Sequence, residues 1–236
     1  MKTRLFLMRY AYVYCYVLCL VLIAAAALRH SVETVSSRQD LAALPRIVID
    51  AGHGGIDGGT TSVSGVLEKE LNLQIAKRLE KLLLLLGHQP VMTRVTPESV
   101  ATEGSTIREQ KRSDLKNRLA IINESEHTFL LSIHQNHYPD TRYAGPQIFY
   151  AADEASRAFA QVLQQNMNAA LGTRRECKQA SGVYLMNHLK CPGVLVECGF
   201  LSNYEEDARL QTPEYQKKLC CILAYSLMEY LHAPAA

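Results

Sequence analysis

The chain has 236 residues, 48% of them hydrophobic, and a formal net charge of +2. So small a charge argues against the concentrated basic face of a nucleic-acid binder, and no nucleic-acid partner is expected. The seven cysteines include no CxxC pair and form no disulfide framework, so they read as small buried hydrophobes.

Lys2, Arg4 and Arg9 precede an uninterrupted apolar run from Tyr10 to Leu28. As a helix this run would be about 28 Å long, close to the hydrocarbon thickness of a bilayer. Residues 1–28 are therefore expected to be an N-terminal membrane anchor. A cleaved signal peptide is the alternative, because Ala24–Ala27 offers small residues to a peptidase. Either way the basic flank stays cytoplasmic and the rest is exported. Residues 29–44, rich in Ser, Thr and charge, read as a linker, and residues 45–232 as one domain of about 190 residues.

In that domain Arg46–Asp50 is a short apolar run that ends in a Gly-rich loop, which predicts a buried strand. From Glu68 the positions Leu71, Ile75, Leu79, Leu82, Leu83 and Leu86 form a helical stripe closed by Gly87. Pro90–Thr93 predicts a second strand, and Arg108 to Glu124 a helix with Leu115, Leu119 and Ile122 inward. Strands are further expected at Phe129–Ile133, Gln147–Ala151, Gly182–Met186 and Gly193–Glu197. Ala155–Leu171 reads as a helix, and Pro213–Leu231 as a closing helix that opens with Pro. Strands alternating with helices imply an α/β fold: a mostly parallel twisted sheet of about six strands with helices on both faces.

Sites in such sheets form at the carboxyl ends of strands. Three strand ends carry reactive side chains: Asp50-Ala51-Gly52-His53, Ser132-Ile133-His134-Gln135-Asn136 and Val196-Glu197-Cys198-Gly199. His53 lies among glycines that offer it little packing. His134 alone would pass for a buried core histidine, and Glu68 for a helix-start carboxylate favoured by the dipole. Glu197 closes an apolar strand, where a carboxylate is costly unless paired or metal-bound. Two His and one Glu form a familiar zinc set, three protein ligands with one position left open. GHGGIDGG lacks GxGxxG order and no P-loop Lys follows; a nucleophilic serine has no GxSxG elbow.

DAGHGGIDGG, LEKELNLQIAKRL, MTR, RLAIIN, SIHQN and GVLVECGFLSN together resemble, in order, the zinc-dependent N-acetylmuramoyl-L-alanine amidases of the amidase-3 family. The resemblance implies that His53, Glu68 and His134 bind Zn2+ and that Glu197 is the catalytic acid/base. Glu70, two residues along the helix from Glu68, would point about 200° away, so only one of the two can face the metal. Arg94 and Arg118 fall in matching blocks, and both are expected to pair with carboxylates or to touch substrate. Asn136 could orient His134 or touch substrate, and Asp50 and Ser132 could support the metal ligands. His88, His127, His137 and His188 read as surface or loop histidines.

The resemblance further implies hydrolysis of the bond between N-acetylmuramic acid and L-alanine in a peptidoglycan glycan strand with its stem peptide. A short anchor before a compact catalytic domain is similar in layout to the sporulation amidases that prepare cortex muramic-δ-lactam. That likeness implies a lipoprotein partner and a place outside the cytoplasmic membrane, such as the forespore intermembrane space. An exported zinc peptidase acting within the stem peptide, or a non-catalytic wall-binding protein, are the alternatives.

Overall fold

The computed structural model describes residues 18–23 and 45–233. Residues 18–23 are helical, and none of the described helices is long and apolar enough to cross a membrane. The rest of the expected anchor and all of the expected linker lie outside the described residues. The chain divides into two compact units, Met1–Leu44 and Pro45–Ala236.

The second unit runs β1 (Arg46–Ala51), α1 (Glu68–Leu85), β2 (Val91–Met92), α2 (Ile107–Ile122), β3 (Thr128–Asn136), β4 (Gln147–Tyr150), α3 (Glu154–Leu171), β5 (Lys178–Gln179), α4 (Tyr184–His188), β6 (Gly193–Phe200), α5 (Tyr204–Leu210) and α6 (Pro213–Leu231). The strands form one sheet in the order β2-β1-β3-β6-β4-β5. β2, β1, β3 and β6 are parallel, while β4 runs antiparallel to β6 and β5 parallel to β4. The expected α/β architecture is what the chain adopts.

Side chains alternate across a strand, and this sheet separates two cores accordingly. Ile47, Ile49, Phe129, Leu131, Ile133, Val194 and Val196 pack with α1, α3 and α6 through Leu71, Ile75, Phe159, Leu163, Leu219 and Leu223. Val48, Leu130 and Leu195 pack with α2 and α4 through Ile122, Leu185 and Met186. Each fully buried aliphatic side chain contributes about 1.5–3 kcal/mol. On the α2/α4 face, the next residues along the central strands are polar: Asp50, Ser132, His134 and Glu197. Asp50 is in register with Ser132, and His134 with Glu197. One face of the sheet thus turns from core to site at its carboxyl edge.

Three local expectations need correction. Gly182–Met186 is not a strand: Gly182 has φ +73° and Tyr184–His188 is a short helix. Leu185 and Met186 still go inward, but from a helical turn that packs on the sheet rather than joining it. Leu86 is not part of the buried stripe; it is the exposed C-cap of α1, beyond the reach of the sheet. Finally, α5 is polar (YEEDARL) and was not expected. It forms because the Asn203 side chain accepts from the Glu205 and Glu206 amides as an N-cap.

Candidate metal and catalytic centre

The loop after β1, the start of α1 and the ends of β3 and β6 meet over the carboxyl edge. Ligand atoms of His53, Glu68 and His134 all lie within 4.8 Å of one another, so the three could hold one metal ion. His53 Nε2 lies 3.2 Å from Glu68 Oε2, and His134 Nδ1 lies 3.1 Å from Glu68 Oε1. The two imidazole rings stand edge-on at 4.9 Å. Glu68 is buried and Glu70 exposed, as opposite sides of one helix require.

Glycines make this convergence sterically allowed. A Cβ on Gly52 would lie 2.3 Å from Nε2 of His134, so the His134 ring occupies the space a side chain would take. A Cβ on Gly59 would lie 2.5 Å from Glu68 Oε2 and 2.8 Å from His53 Cδ2. His53 itself has φ +61°, the one non-glycine residue in the left-handed region among those described.

Glu68 is held from several sides. Leu67 offers no side-chain cap to α1. Instead the Glu68 and Lys69 amides donate to the Thr60 and Gly58 carbonyls, and Thr60 N–H donates back to Glu68 Oε2 at 3.0 Å. Asn72, one turn along α1, donates to Glu68 Oε1 at 3.2 Å, and Gln135 N–H donates to it at 3.1 Å. Gln135 Nε2 in turn donates to Asn72 Oδ1 at 3.1 Å. Burial alone would raise the Glu68 pKa, but hydrogen bonds and charge from His134 and His53 hold it well below the usual carboxylate range.

His53 Nδ1 lies 3.0 Å from Asp57 Oδ2, and Lys111 Nζ lies 2.8 Å from Asp57 Oδ1. This carboxylate leaves Nε2 as the atom facing Glu68. Burial works to lower the His53 pKa, but Asp57 and Glu68 outweigh it and raise it to about 9. Neither Asp57 nor Lys111 was singled out from sequence. The available signal was Asp57 itself, four residues past His53 in the Gly-rich loop.

Glu197 is half-buried at the edge of the cleft, and its Oε2 is shielded from solvent without a hydrogen-bond partner. Burial, with the nearby Glu68 charge, raises its pKa to about 7 against the opposing pull of His134 and His53. The cleft has a volume of about 430 Å³. Asp57, Lys111 and Asp114 give it a charged side, and Leu115, Val183 and Met186 an apolar one.

The two arginines act differently from one another. Arg118 is buried and pairs with carboxylates as expected: Asp50 Oδ1 and Asp114 Oδ2, each at 2.7 Å. It also donates to the Ala51 carbonyl at 2.7 Å and to the His53 carbonyl at 2.5 Å. Arg94 makes no carboxylate pair. Its bonds go to the carbonyls of Ala51, Gly52, Lys69 and Thr96 at 2.8–2.9 Å, because the loop leaving β1 turns buried carbonyls toward it. Asp50 and Ser132 bond each other at 2.7 Å and join Arg118 and Thr93 rather than the imidazoles. Asn136 does not orient His134: its Oδ1 accepts from the His137 amide, and neither residue lines the cleft. His88 is buried against Met228, contrary to the surface position expected, whereas His127, His137 and His188 are exposed.

The family model described as N-acetylmuramoyl-L-alanine amidase, amidase-3, matches residues 47–226. The germination-specific N-acetylmuramoyl-L-alanine amidase of Bacillus subtilis is 37% identical over 188 residues, covering 78% of each chain. The CwlD amidase of Clostridioides difficile, solved in complex with the GerS lipoprotein, superposes with a TM-score of 0.77 at 33% identity, over 80% of this chain and 100% of that one. The catalytic domain of the amidase CwlV from Bacillus polymyxa gives a TM-score of 0.67 at 28% identity, over 81% and 100%. With three quarters of its length in the family match, the chain belongs to the amidase-3 family and is an N-acetylmuramoyl-L-alanine amidase.

Proposed function

We propose that His53, Glu68 and His134 hold a zinc ion in this amidase, and that Glu197 moves the proton between water and the leaving amine. The observation that supports this most is the pairing of a compact His-Glu-His set with a carboxylate whose Oε2 is buried and unsatisfied beside it. Two imidazoles and one carboxylate match the donor preferences of zinc with an open fourth position. Bound there, zinc would act as a Lewis acid and make water acidic enough to attack at neutral pH.

The chain's own groups do the rest. Glu197, with its pKa raised to about 7, accepts a proton from water as the new C–O bond forms at the lactyl carbonyl carbon. Protonated Glu197 then returns that proton to the L-alanine nitrogen as the C–N bond breaks. The water's second proton passes from the new carboxyl group to the amine or to solvent, so the products are a muramic carboxylate and a protonated amine, and Glu197 ends as it began. Asp57 holds the His53 ring, Asn72 and the Gln135 amide hold Glu68, and Gly52 lets His134 approach.

The physiological setting is proposed from layout and likeness. The apolar run Tyr10–Leu28 supports membrane anchorage on the exported side. Likeness to the germination-specific amidase supports a role in spore cortex, and the CwlD–GerS complex supports a lipoprotein partner. Incubating the full chain with purified peptidoglycan, with and without zinc, tests the chemistry by mass spectrometry of the products. Zinc-dependent release of intact stem peptides with free L-alanine termini, lost in Glu197→Ala, is expected. Zinc-independent release, or full activity in Glu197→Ala, would refute the assigned roles.

A further inference from the structure

α1 begins at the metal-site edge with Glu68 and runs back along the sheet for 18 residues, about 27 Å at 1.5 Å per residue. Its far end therefore lies at the amino edge, where β1 starts at Arg46. His88, just past that end, packs against Met228 near the end of α6.

At this tip three consecutive leucines are exposed: Leu84 by 50%, Leu85 by 83% and Leu86 by 48%. Elsewhere in residues 45–233 no two large exposed apolar side chains are adjacent in sequence, although Tyr138 and Tyr143 pack on each other. Three exposed leucines in succession at a helix end make an apolar tip, the kind of surface that interaction sites present. Behind it on the same helix, Lys77 and Lys81 are exposed, at i and i+4, with Leu85 at the next i+4 position. The outward line of α1 thus reads cation, cation, leucine toward the tip. Apolar groups in the headgroup layer, with lysines behind them against its charge, suit an anionic lipid surface.

The chain outside the described residues joins at this edge. The tether before Pro45 is about 16 residues and can span at most about 55 Å, and it follows the apolar run Tyr10–Leu28. We propose that the Leu84–Leu86 tip docks on an anionic bilayer, with Lys77 and Lys81 contacting its headgroups, and turns the metal-site edge away from the lipid toward the wall. This rests on the membrane anchorage proposed above. The metal-site edge lies at the other end of α1, up to about 27 Å from the tip, so docking through the tip holds the reacting bond off the headgroups and favours glycan in the wall layer as substrate.

The chain contains no tryptophan, so a single introduced one reports its own surroundings. Leu85→Trp and Tyr204→Trp are each made in the full chain. Tyr204 is 71% exposed in α5, just after the carboxyl end of β6. Both are reconstituted into phosphatidylglycerol–phosphatidylcholine vesicles carrying a nitroxide about 5–10 Å below the headgroups. Leu85→Trp is expected to emit at shorter wavelength and to lose intensity to the nitroxide, while Tyr204→Trp is unquenched. Adding Lys77→Glu and Lys81→Glu should weaken the quenching. If the chain stays on the vesicles but Leu85→Trp is as unquenched as Tyr204→Trp, the docking proposal fails and anchorage stands. Blue-shifted but unquenched emission overturns it in favour of a protein neighbour, such as a second copy or a lipoprotein. A chain that washes off the vesicles overturns both.

Discussion

Arg118 donates through Nη2 to the carbonyl of His53 at 2.5 Å, tying the middle of α2 to the one left-handed non-glycine residue described. The same guanidinium takes the Ala51 carbonyl and the carboxylates of Asp50 and Asp114. Arg94 takes the Gly52 carbonyl between them. Carbonyls of three successive residues are thus fixed by two buried cations, and the His53 ring is aimed by the backbone beneath it.

Removing this clamp has a predictable cost. Arg118→Ala strands two buried carboxylates and should destabilise by about 3–5 kcal/mol. Arg118→Lys keeps the charge but lacks the planar fork that reaches four acceptors, so a smaller loss of about 1–3 kcal/mol is expected. Urea denaturation measures both. In the Lys variant, competition with a chelator should show zinc bound about 10–100-fold more weakly, because the loop carrying His53 is loosened. Unchanged zinc affinity would mean that the clamp serves stability alone.

Strand ends were readable because the strands leading to them are short apolar runs and the fold places sites where they stop. The His134–Glu197 register and the Asp50–Ser132 register follow from that parallel sheet. Less readable was anything that depends on a turn. Gly182–Met186 reads as a strand by composition, yet Gly182, at φ +73°, turns the chain into the helix Tyr184–His188. Asp57 sits in a loop, where no periodicity says which way a side chain points. Arg94 looked like a carboxylate partner because sequence shows charges but not which backbone carbonyls become buried. The role of Gly52 was equally hidden, since the approaching ring is that of His134, 82 residues away.

Gly52→Ala tests that approach directly. Its φ lies outside the left-handed region, so backbone strain is not the issue; the clash is with the His134 ring at 2.3 Å. The variant should fold, with a stability loss of about 1–3 kcal/mol from overpacking. It should also lose most bound zinc and nearly all activity. Metal analysis after dialysis, beside a thermal melt, separates the two effects. Normal zinc content would show that the ring has another place to go.

Acid stability follows from Asp50. Burial would raise its pKa, but Arg118, the His134 charge and hydrogen bonds from Thr93 and Ser132 lower it to about 2. A depressed carboxylate stabilises the fold fully above its unfolded pKa, near 4, and loses that contribution as pH falls through about 2. The difference amounts to on the order of 2 kcal/mol. Asp57 and Glu68 are depressed as well and add in the same direction. Urea midpoints should therefore fall steeply below pH 4. Asp50→Asn, already weaker at pH 7, should show a shallower fall.

Metal binding should displace a proton from His53. Asp57 and Glu68 raise its pKa to about 9 against the opposing effect of burial, so at pH 7 the metal-free imidazole is protonated. Zinc needs the neutral ring. Its apparent affinity should then rise about tenfold per pH unit up to roughly pH 9 and level off above it. Calorimetry of zinc binding in buffers of different ionisation enthalpy counts the proton released. In Asp57→Asn the ring loses one of the partners that raise its pKa, so affinity should level off at lower pH and fewer protons should be released at pH 7. The ring also loses the group that orients it, and affinity above the plateau should drop about 10–100-fold. If Asp57→Asn left both the plateau and the proton count unchanged, Asp57 would be no more than a partner for Lys111.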